Sequence, residues 1–298
     1  NILILDCDEY LQSDKTVLEK LNSMLENEPQ RAGRIKCINV LDDDSKNTDW
    51  ITRAFNRKYY KVEGKIHEQI VKTDGEPADT FLSAVVIKHV GYALNDDEKK
   101  KKASRNIKLL KKRLAELEKN FDSDITQNNE KEIPYIYYQL GKSYYMEKDY
   151  NNACDFFSKG LSFDLEPKLE YVIDMVETYG YAMLNSGKVQ EALSYTSIYD
   201  VFGNSADFKF LMGLIYMKNA MFDEAVNEFQ KAAEYKESRV EGANSYLAYY
   251  NIGVIYECLG NIGKAQEYYK KCNGYSKAVE RLENGRQGNL TKCRKTGV

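Results

Sequence analysis

Acidic side chains follow the first apolar run of the chain. NILILD (1–6) has the composition of a strand, and Asp6, Cys7, Asp8 and Glu9 stand at its end. Side chains two residues apart on a strand point the same way, so Asp6 and Asp8 would present two carboxylates together. Carboxylate oxygens are the ligands that hard divalent cations prefer. The run therefore predicts a metal site, with N-capping of the following helix as the alternative.

The chain contains two histidines, His67 and His89. His89 ends a second apolar run, FLSAVVIKHV (81–90), whose β-branched residues predict a strand. Each histidine follows apolar residues and precedes a turn, where functional side chains are common. A structural role is the alternative for both.

Three zones position these residues. Residues 1–97 mix short apolar runs with turn residues, as an α/β segment does, and 16–25 has helical spacing. Residues 98–133 are predicted to be a charged connecting helix and a turn-rich linker. The lysines there indicate either a solvated helix face or an anionic partner. The apolar positions of this helix form one seam: Ala103, Ile107, Leu110, Leu114, Leu117 and Phe121.

Residues 134–284 repeat with the spacing of tetratricopeptide (TPR) helix pairs. The eighth-position glycines are Gly141, Gly180, Gly213 and Gly253, separated by 39, 33 and 40 residues. Because the TPR period is about 34, two joints carry insertions of about five or six residues. A glycine there lets the paired helices approach closely, and stacking of the pairs supplies the core. Residues 274–284 are predicted to be a capping helix, and 285–298 a basic tail.

In TPR proteins, positions 2, 5, 9 and 12 of each first helix line the concave face. The tyrosines and the lysine of copy one suit an extended peptide, through stacking and backbone hydrogen bonds. The alternative is that some of these aromatic side chains belong to the core. The positions in copies one and three are Tyr135, Tyr138, Lys142 and Tyr145, and Asp207, Phe210, Leu214 and Met217.

Composition narrows the possible functions. The 46 acidic and 43 basic residues give a net charge of −3, which argues against a general nucleic-acid binder. No apolar run approaches the roughly 20 residues of a membrane span. The six cysteines form no C-x-x-C pair, and no secretory signal is visible. We expect free thiols in the reducing cytoplasm.

Four segments together resemble the family-2 glycosyltransferases, which have a GT-A fold. LILDCDEYL is similar to the aspartate motif of that family, and RAFNRKYYKVEGKIHEQI (53–70) to its Gly-x-Ile-His-Glu region. HVGYA (89–93) and KKASRNIKLL (101–110) complete the series in the same order. These motifs occur in bacterial family-2 enzymes whose transferase domain is followed by TPR repeats. The expected fold is thus mainly α: a TPR superhelix preceded by a partial α/β, GT-A-like segment.

The resemblance implies sugar transfer from a nucleotide-sugar donor to a protein or glycan acceptor. Asp6 and Asp8 would hold Mn²⁺ or Mg²⁺ against the donor diphosphate, with His89 beside the metal. Glu68 would be the general base, and His67 would orient it or contact the acceptor.

Two departures from that family matter. The family motif Arg-x-Phe-Arg-Asn has arginine before asparagine, whereas in this chain Asn56 precedes Arg57. In addition, the aspartate motif begins at residue 6, whereas in the family it lies near the middle of the transferase domain. We therefore expect the nucleotide-binding half to be missing and the chain alone to have poor activity. The alternative hypothesis is a non-catalytic TPR adaptor with a degenerate transferase remnant. Either protein would bind a polypeptide partner, and an oligomer is possible.

Overall fold

A computed structural model describes residues 1–40, 46–63, 69–76, 78–91, 96–120 and 127–286 of the 298-residue chain. The chain divides into two compact units, Asn1–Lys101 and Lys102–Val298. The division falls within one helix, and each unit is described by itself.

The described part of the first unit is a mixed β-sheet with one covering helix, α1 (Lys15–Asn27). Its larger sheet has five strands in the order β1-β4-β3-β7-β2, and β5 pairs with β6. Strands β3 and β7 are parallel, whereas the other pairings are antiparallel. The strands are β1 (Ile2–Leu3), β2 (Glu9–Leu11), β3 (Ala32–Val40), β4 (Lys46–Phe55), β5 (Tyr60–Glu63), β6 (Gln69–Lys72) and β7 (Thr80–His89).

Strand β7 confirms the strand predicted at 81–90 and shows why it forms. Its side chains alternate, with Phe81, Val85 and Ile87 buried and Leu82 exposed. Helix α1 covers this buried face with Leu21, which lies in the same apolar cluster. The Asp14 carboxylate caps α1 by accepting a hydrogen bond from the Val17 amide at 3.0 Å.

The second unit is a succession of helices. Gly187, Gly260 and Gly274 adopt positive φ at turns between them, where a left-handed backbone favours glycine. The helices are α2 (Asp96–Asn120), α3 (Gln127–Met146), α4 (Tyr150–Leu161), α5 (Glu170–Asn185), a 3-10 helix (Glu191–Ile198), α6 (Tyr199–Phe202), α7 (Ala206–Lys218), α8 (Phe222–Ala233), α9 (Tyr246–Cys258), α10 (Ile262–Lys271) and α11 (Ser276–Arg286).

Close approach at the repeat glycines holds the helix pairs together. A Cβ at Gly141 would lie 2.5 Å from the Phe157 ring, and one at Gly213 would lie 2.6 Å from the Phe229 ring. Gly253 meets the Tyr269 ring in the same way. Because the ring comes from the second helix of the same repeat, the predicted role of these glycines is confirmed.

The second repeat is irregular. Gly180 faces Leu211 of the next repeat, and the second helix is replaced by 3-10 helix Glu191–Ile198 followed by short α6. The hydroxyls of Thr196 and Ser197 donate to carbonyls three residues earlier. Such side-chain bonds compete with regular α-helical pairing, which accounts for the weak motif found in this copy.

Helix α2 carries the predicted apolar seam. Ala103, Leu110, Leu114 and Leu117 are buried, and Ile107 packs against the cluster formed by the first repeats. Phe121 lies outside the described residues. Helix α3 starts at Gln127, so it includes residues 127–133, which the sequence assigned to a linker. Arg113 and Glu132 join α2 to this added turn through two hydrogen bonds of 2.7 and 2.8 Å.

Cysteine chemistry is mixed. Cys7, Cys37, Cys154 and Cys272 carry free thiols, and burial raises the pKa of Cys37 to about 12. Cys258 is disulfide-bonded, which departs from the expectation of free thiols throughout. In the described part of the chain, no helix combines the length and the apolar character that a bilayer span requires.

Gly213→Ala should destabilise the protein by about 1–3 kcal/mol, because the added methyl group overpacks the contact with Phe229. The measurement is urea unfolding followed by circular dichroism. The matched control is Gly263→Ala, because no atom lies within 4 Å of a Cβ there. That change in helix α10 should stabilise by up to about 1 kcal/mol. Equal unfolding midpoints for Gly213→Ala and the parent chain would contradict the packing role.

Candidate functional site

Two of the predicted metal ligands meet at the edge of the larger sheet. Asp8 lies in the turn before β2, and His89 ends β7. His89 Nε2 is 3.4 Å from Asp8 Oδ2, and His89 Nδ1 is 2.8 Å from Asn39 Oδ1. A Cβ at Gly91 would lie 2.1 Å from Asp8 Oδ2 and 2.5 Å from His89 Nε2. A side chain at position 91 would therefore displace the Asp8 carboxylate or the His89 ring.

Asp6 is paired with Arg53. The Arg53 guanidinium donates to Asp6 Oδ2 at 2.7 Å and to buried Glu9 Oε1 at 2.9 Å. Burial lowers the pKa of Arg53, but the carboxylates of Glu9 and Asp6 outweigh that effect and the pKa is raised. Among the residues that the structure describes, no group of three or more His, Cys, Asp or Glu is arranged to hold a metal. Asp8 and His89 can supply two ligands, and a resident metal would need others.

The predicted general base Glu68 and its neighbour His67 lie outside the described residues. Their relation to Asp8 and His89 therefore stays a prediction.

The predicted groove residues of the first repeat lie side by side on α3. Tyr135 packs edge-on against Tyr171 of α5, with ring centroids 5.3 Å apart. Tyr138 is buried, and its hydroxyl donates to Asp174 Oδ2 at 2.6 Å. Burial raises the pKa of Tyr145 to about 12, and its hydroxyl accepts from Asn185 at 3.2 Å. On this helix Tyr135 and Tyr145 are thus half-buried, whereas Tyr138 between them is buried in the core.

The predicted residues of the third repeat are less accessible. Phe210 is buried against Phe229, with ring centroids 5.4 Å apart, so little of its ring is left for a ligand. Leu214 and Met217 are partly buried on the same helix, α7.

Three further residues organise this face and were not predicted from the sequence. Asp174 and Glu177 occupy positions 2 and 5 of the second repeat, so counting from Gly180 would have found them. Arg239 comes from the insertion between α8 and α9, and no motif pointed to it. Its guanidinium donates to Asp174 Oδ1 at 2.6 Å and to Glu177 Oε2 at 3.0 Å. Lys142 donates to Asp174 Oδ2 at 2.7 Å.

Electrostatics keep Asp174 ionised. Burial raises the pKa of Asp174, but the charges of Lys142 and Arg239 and the hydrogen bond from Tyr138 outweigh burial. The net result is a pKa below the ordinary value for aspartate. This face can therefore bind a guanidinium through a pair of carboxylates, a chemistry that suits arginine better than lysine.

Comparisons with known proteins agree with the helix pairs. Models described as tetratricopeptide repeat match residues 135–159, 206–239 and 246–278. No curated protein sequence matches the chain.

Solved structures with similarity to the chain include several repeat proteins. YrrB, described as a TPR protein with an unusual peptide-binding site, is 21% identical over 65% of this chain and 92% of its own, with a TM-score of 0.46. MamA from Desulfovibrio magneticus RS-1 is 18% identical over 64% and 96%, with a TM-score of 0.42. A thermophilic TPR protein of Thermus thermophilus is 15% identical over 65% and 98%, with a TM-score of 0.39. Similarities this low carry no argument about function.

The second unit is therefore an array of tetratricopeptide repeats, as the spacing predicted. This assignment depends on the family models and on the glycine–ring contacts between paired helices. The matched residues include no part of the first unit, so its glycosyltransferase resemblance stays a prediction.

Asp174→Asn should lower the free energy of unfolding at pH 7 by on the order of 2 kcal/mol, because it removes charged hydrogen bonds from a mostly buried group. Since the folded pKa of Asp174 is depressed, its contribution is complete above its unfolded pKa of about 4 and is lost as pH falls toward the folded value. Urea unfolding at pH 7, 5 and 3 measures this difference. A difference that is the same at pH 3 as at pH 7 would contradict the assignment.

Proposed function

We propose that the protein is a protein-interaction module whose TPR array binds a polypeptide segment along its concave face. The observation that carries the proposal is the continuous line of side chains across three first helices. Tyr135 of α3 contacts Tyr171 of α5, and Asp174 of α5 accepts from Lys142 of α3. Arg239 then connects Asp174 with Asp207 of α7.

The chemistry of this face suits an extended polypeptide. Half-buried tyrosines offer flat apolar area together with a hydroxyl, and Leu214 and Met217 offer apolar contact on α7. Carboxylates on the same face can accept backbone N–H groups, as recognition of extended peptides requires. Aromatic, apolar and acidic side chains together favour a peptide over a small charged metabolite.

Leu214→Lys should abolish binding of peptides selected on the parent chain from a displayed random library, because it places a charge in the apolar part of the face. Asn227→Lys is the matched control, because it adds the same charge at an exposed position on α8 of the same repeat. Fluorescence anisotropy with the selected peptides measures both variants. Full binding by Leu214→Lys, or equal loss in both variants, would contradict a concave-face site.

A second candidate function, the glycosyltransferase, is favoured by the Asp8–His89 pair beside Gly91. Mg²⁺ sites commonly use one or two carboxylates and complete the shell with substrate phosphates, so the Asp8 carboxylate with His89 beside it could hold the metal of a bound donor. A bound metal would stabilise the charge of a leaving nucleotide. In this proposal Asp8 and His89 orient the donor diphosphate, and Arg53 holds the carboxylates of Asp6 and Glu9 in place.

For that candidate, Mn²⁺ added with a nucleoside diphosphate should broaden the ring resonances of His89 in an NMR spectrum. Because the chain has only two histidines, the signals are separable. Asp8→Asn should reduce the broadening at least about tenfold at equal Mn²⁺, whereas Asp74→Asn, in an exposed turn, should not. Equal broadening in Asp8→Asn would contradict the metal site. A nucleotide-sugar donor, a cytoplasmic location and a possible oligomer stay predictions from the sequence.

A further inference from the structure

The insertion between α8 and α9 is a folded segment that lies on the concave face. The interval between Gly213 and Gly253 is 40 residues, about six more than the TPR period. Within the insertion, Asn244 Nδ2 donates to the Tyr235 carbonyl at 3.0 Å, and Ser238 Oγ donates to the Val240 carbonyl at 2.7 Å. Gly242, at φ +88°, completes the turn into α9.

The insertion makes the contacts that a bound peptide would make. The backbone amides of Arg239 and Val240 donate to the two carboxylate oxygens of Asp207, each at 2.8 Å. The Arg239 side chain then places one nitrogen on Asp174 and another on Glu177. Asp207 accepts two consecutive backbone N–H groups, and the carboxylates of Asp174 and Glu177 accept one guanidinium. Together they form a complete recognition site for an arginine residue in an extended segment.

The buried carboxylates require a cation. The side chains of Asp174 and Glu177 are only 14% and 10% exposed, so leaving them without a positive partner would be costly. Lys142 contacts Asp174, whereas the guanidinium of Arg239 contacts Asp174 and Glu177 together. The Arg239 side chain itself is 30% exposed, so the site is open to solvent on one side.

We propose that residues 234–245 are an internal ligand, and that the partner of this groove is a polypeptide segment carrying an arginine that replaces Arg239. This inference depends on the proposed function, since it names the partner chemistry of the same concave face. The acidic section formed by Asp174, Glu177 and Asp207 selects the arginine. The insertion lowers the apparent affinity for the partner, because the partner binds only to the fraction of molecules in which Arg239 has left the carboxylates.

The test measures binding of a fluorescent pentapeptide, acetyl-Ala-Ala-Arg-Ala-Ala-amide, to the full chain and to Arg239→Ala. Removing the internal competitor should tighten binding about tenfold or more. The same peptide with citrulline in place of arginine keeps the shape without the charge and should bind neither protein. Lys236→Ala, an exposed change in the same insertion, should behave like the parent chain.

Arg239→Lys is the second variant, in case Arg239→Ala does not fold. It retains a positive charge but not the two-nitrogen fork, so the arginine peptide should displace it more easily than it displaces Arg239. Tm measured with and without N-acetyl-arginine-N-methylamide gives an independent readout. The compound should raise the Tm of the Arg239 variants and leave that of the parent chain nearly unchanged.

Equal affinities of the arginine peptide for the parent chain and both Arg239 variants would overturn the internal-ligand proposal. Equal binding of the arginine and citrulline peptides would also overturn it. Neither result would contradict the proposed function, because the Leu214→Lys test measures the loss of peptide binding without any change at Arg239.

Discussion

The contact between a glycine of one helix and a ring of its partner is the constraint on which the second unit depends. Gly141, Gly213 and Gly253 each lie so close to Phe157, Phe229 or Tyr269 that a Cβ would not fit. This spacing brings paired helices together, and their shared apolar face is then buried by the next pair. Stacking in turn brings the first helices α3, α5 and α7 into line. The concave face and its charges follow from that alignment.

The charged side chains on this face are arranged around the Asp174 carboxylate. It accepts hydrogen bonds from Tyr138 and Lys142 of the first repeat and from Arg239 of the insertion. Three separate parts of the chain therefore meet at one group whose ionised form is favoured. Such a network ties the insertion to the groove, so the loop acts as part of the binding surface. A partner of this face must either coexist with Arg239 or replace it.

The repeats, strand β7 and the seam of α2 could all be predicted, because periodic apolar positions and glycines report packing directly. The start of α3 could not be predicted, since residues 127–132 are polar and Glu132 is held by an ion pair with Arg113. The 3-10 helix of the second repeat also escaped prediction, because hydroxyl bonds within one turn leave no periodic signal.

The candidate sites divide in the same way. The aspartate and histidine motifs predicted the meeting of Asp8 and His89, but the capture of Asp6 by Arg53 depends on the pairing of strands far apart in the chain. On the concave face, counting from Gly180 would have given Asp174 and Glu177. Arg239 could not be found, because an insertion has no repeat position and its contacts depend on how the loop folds.

The most direct measurement of the central claim is hydrogen exchange at the backbone amides of Arg239 and Val240 in the full chain. If the insertion occupies the groove, both amides are protected by Asp207. They should exchange slowly in the free protein and about tenfold or more faster once an arginine peptide has bound. Rapid exchange in the free protein, or unchanged protection in the complex, would contradict the account.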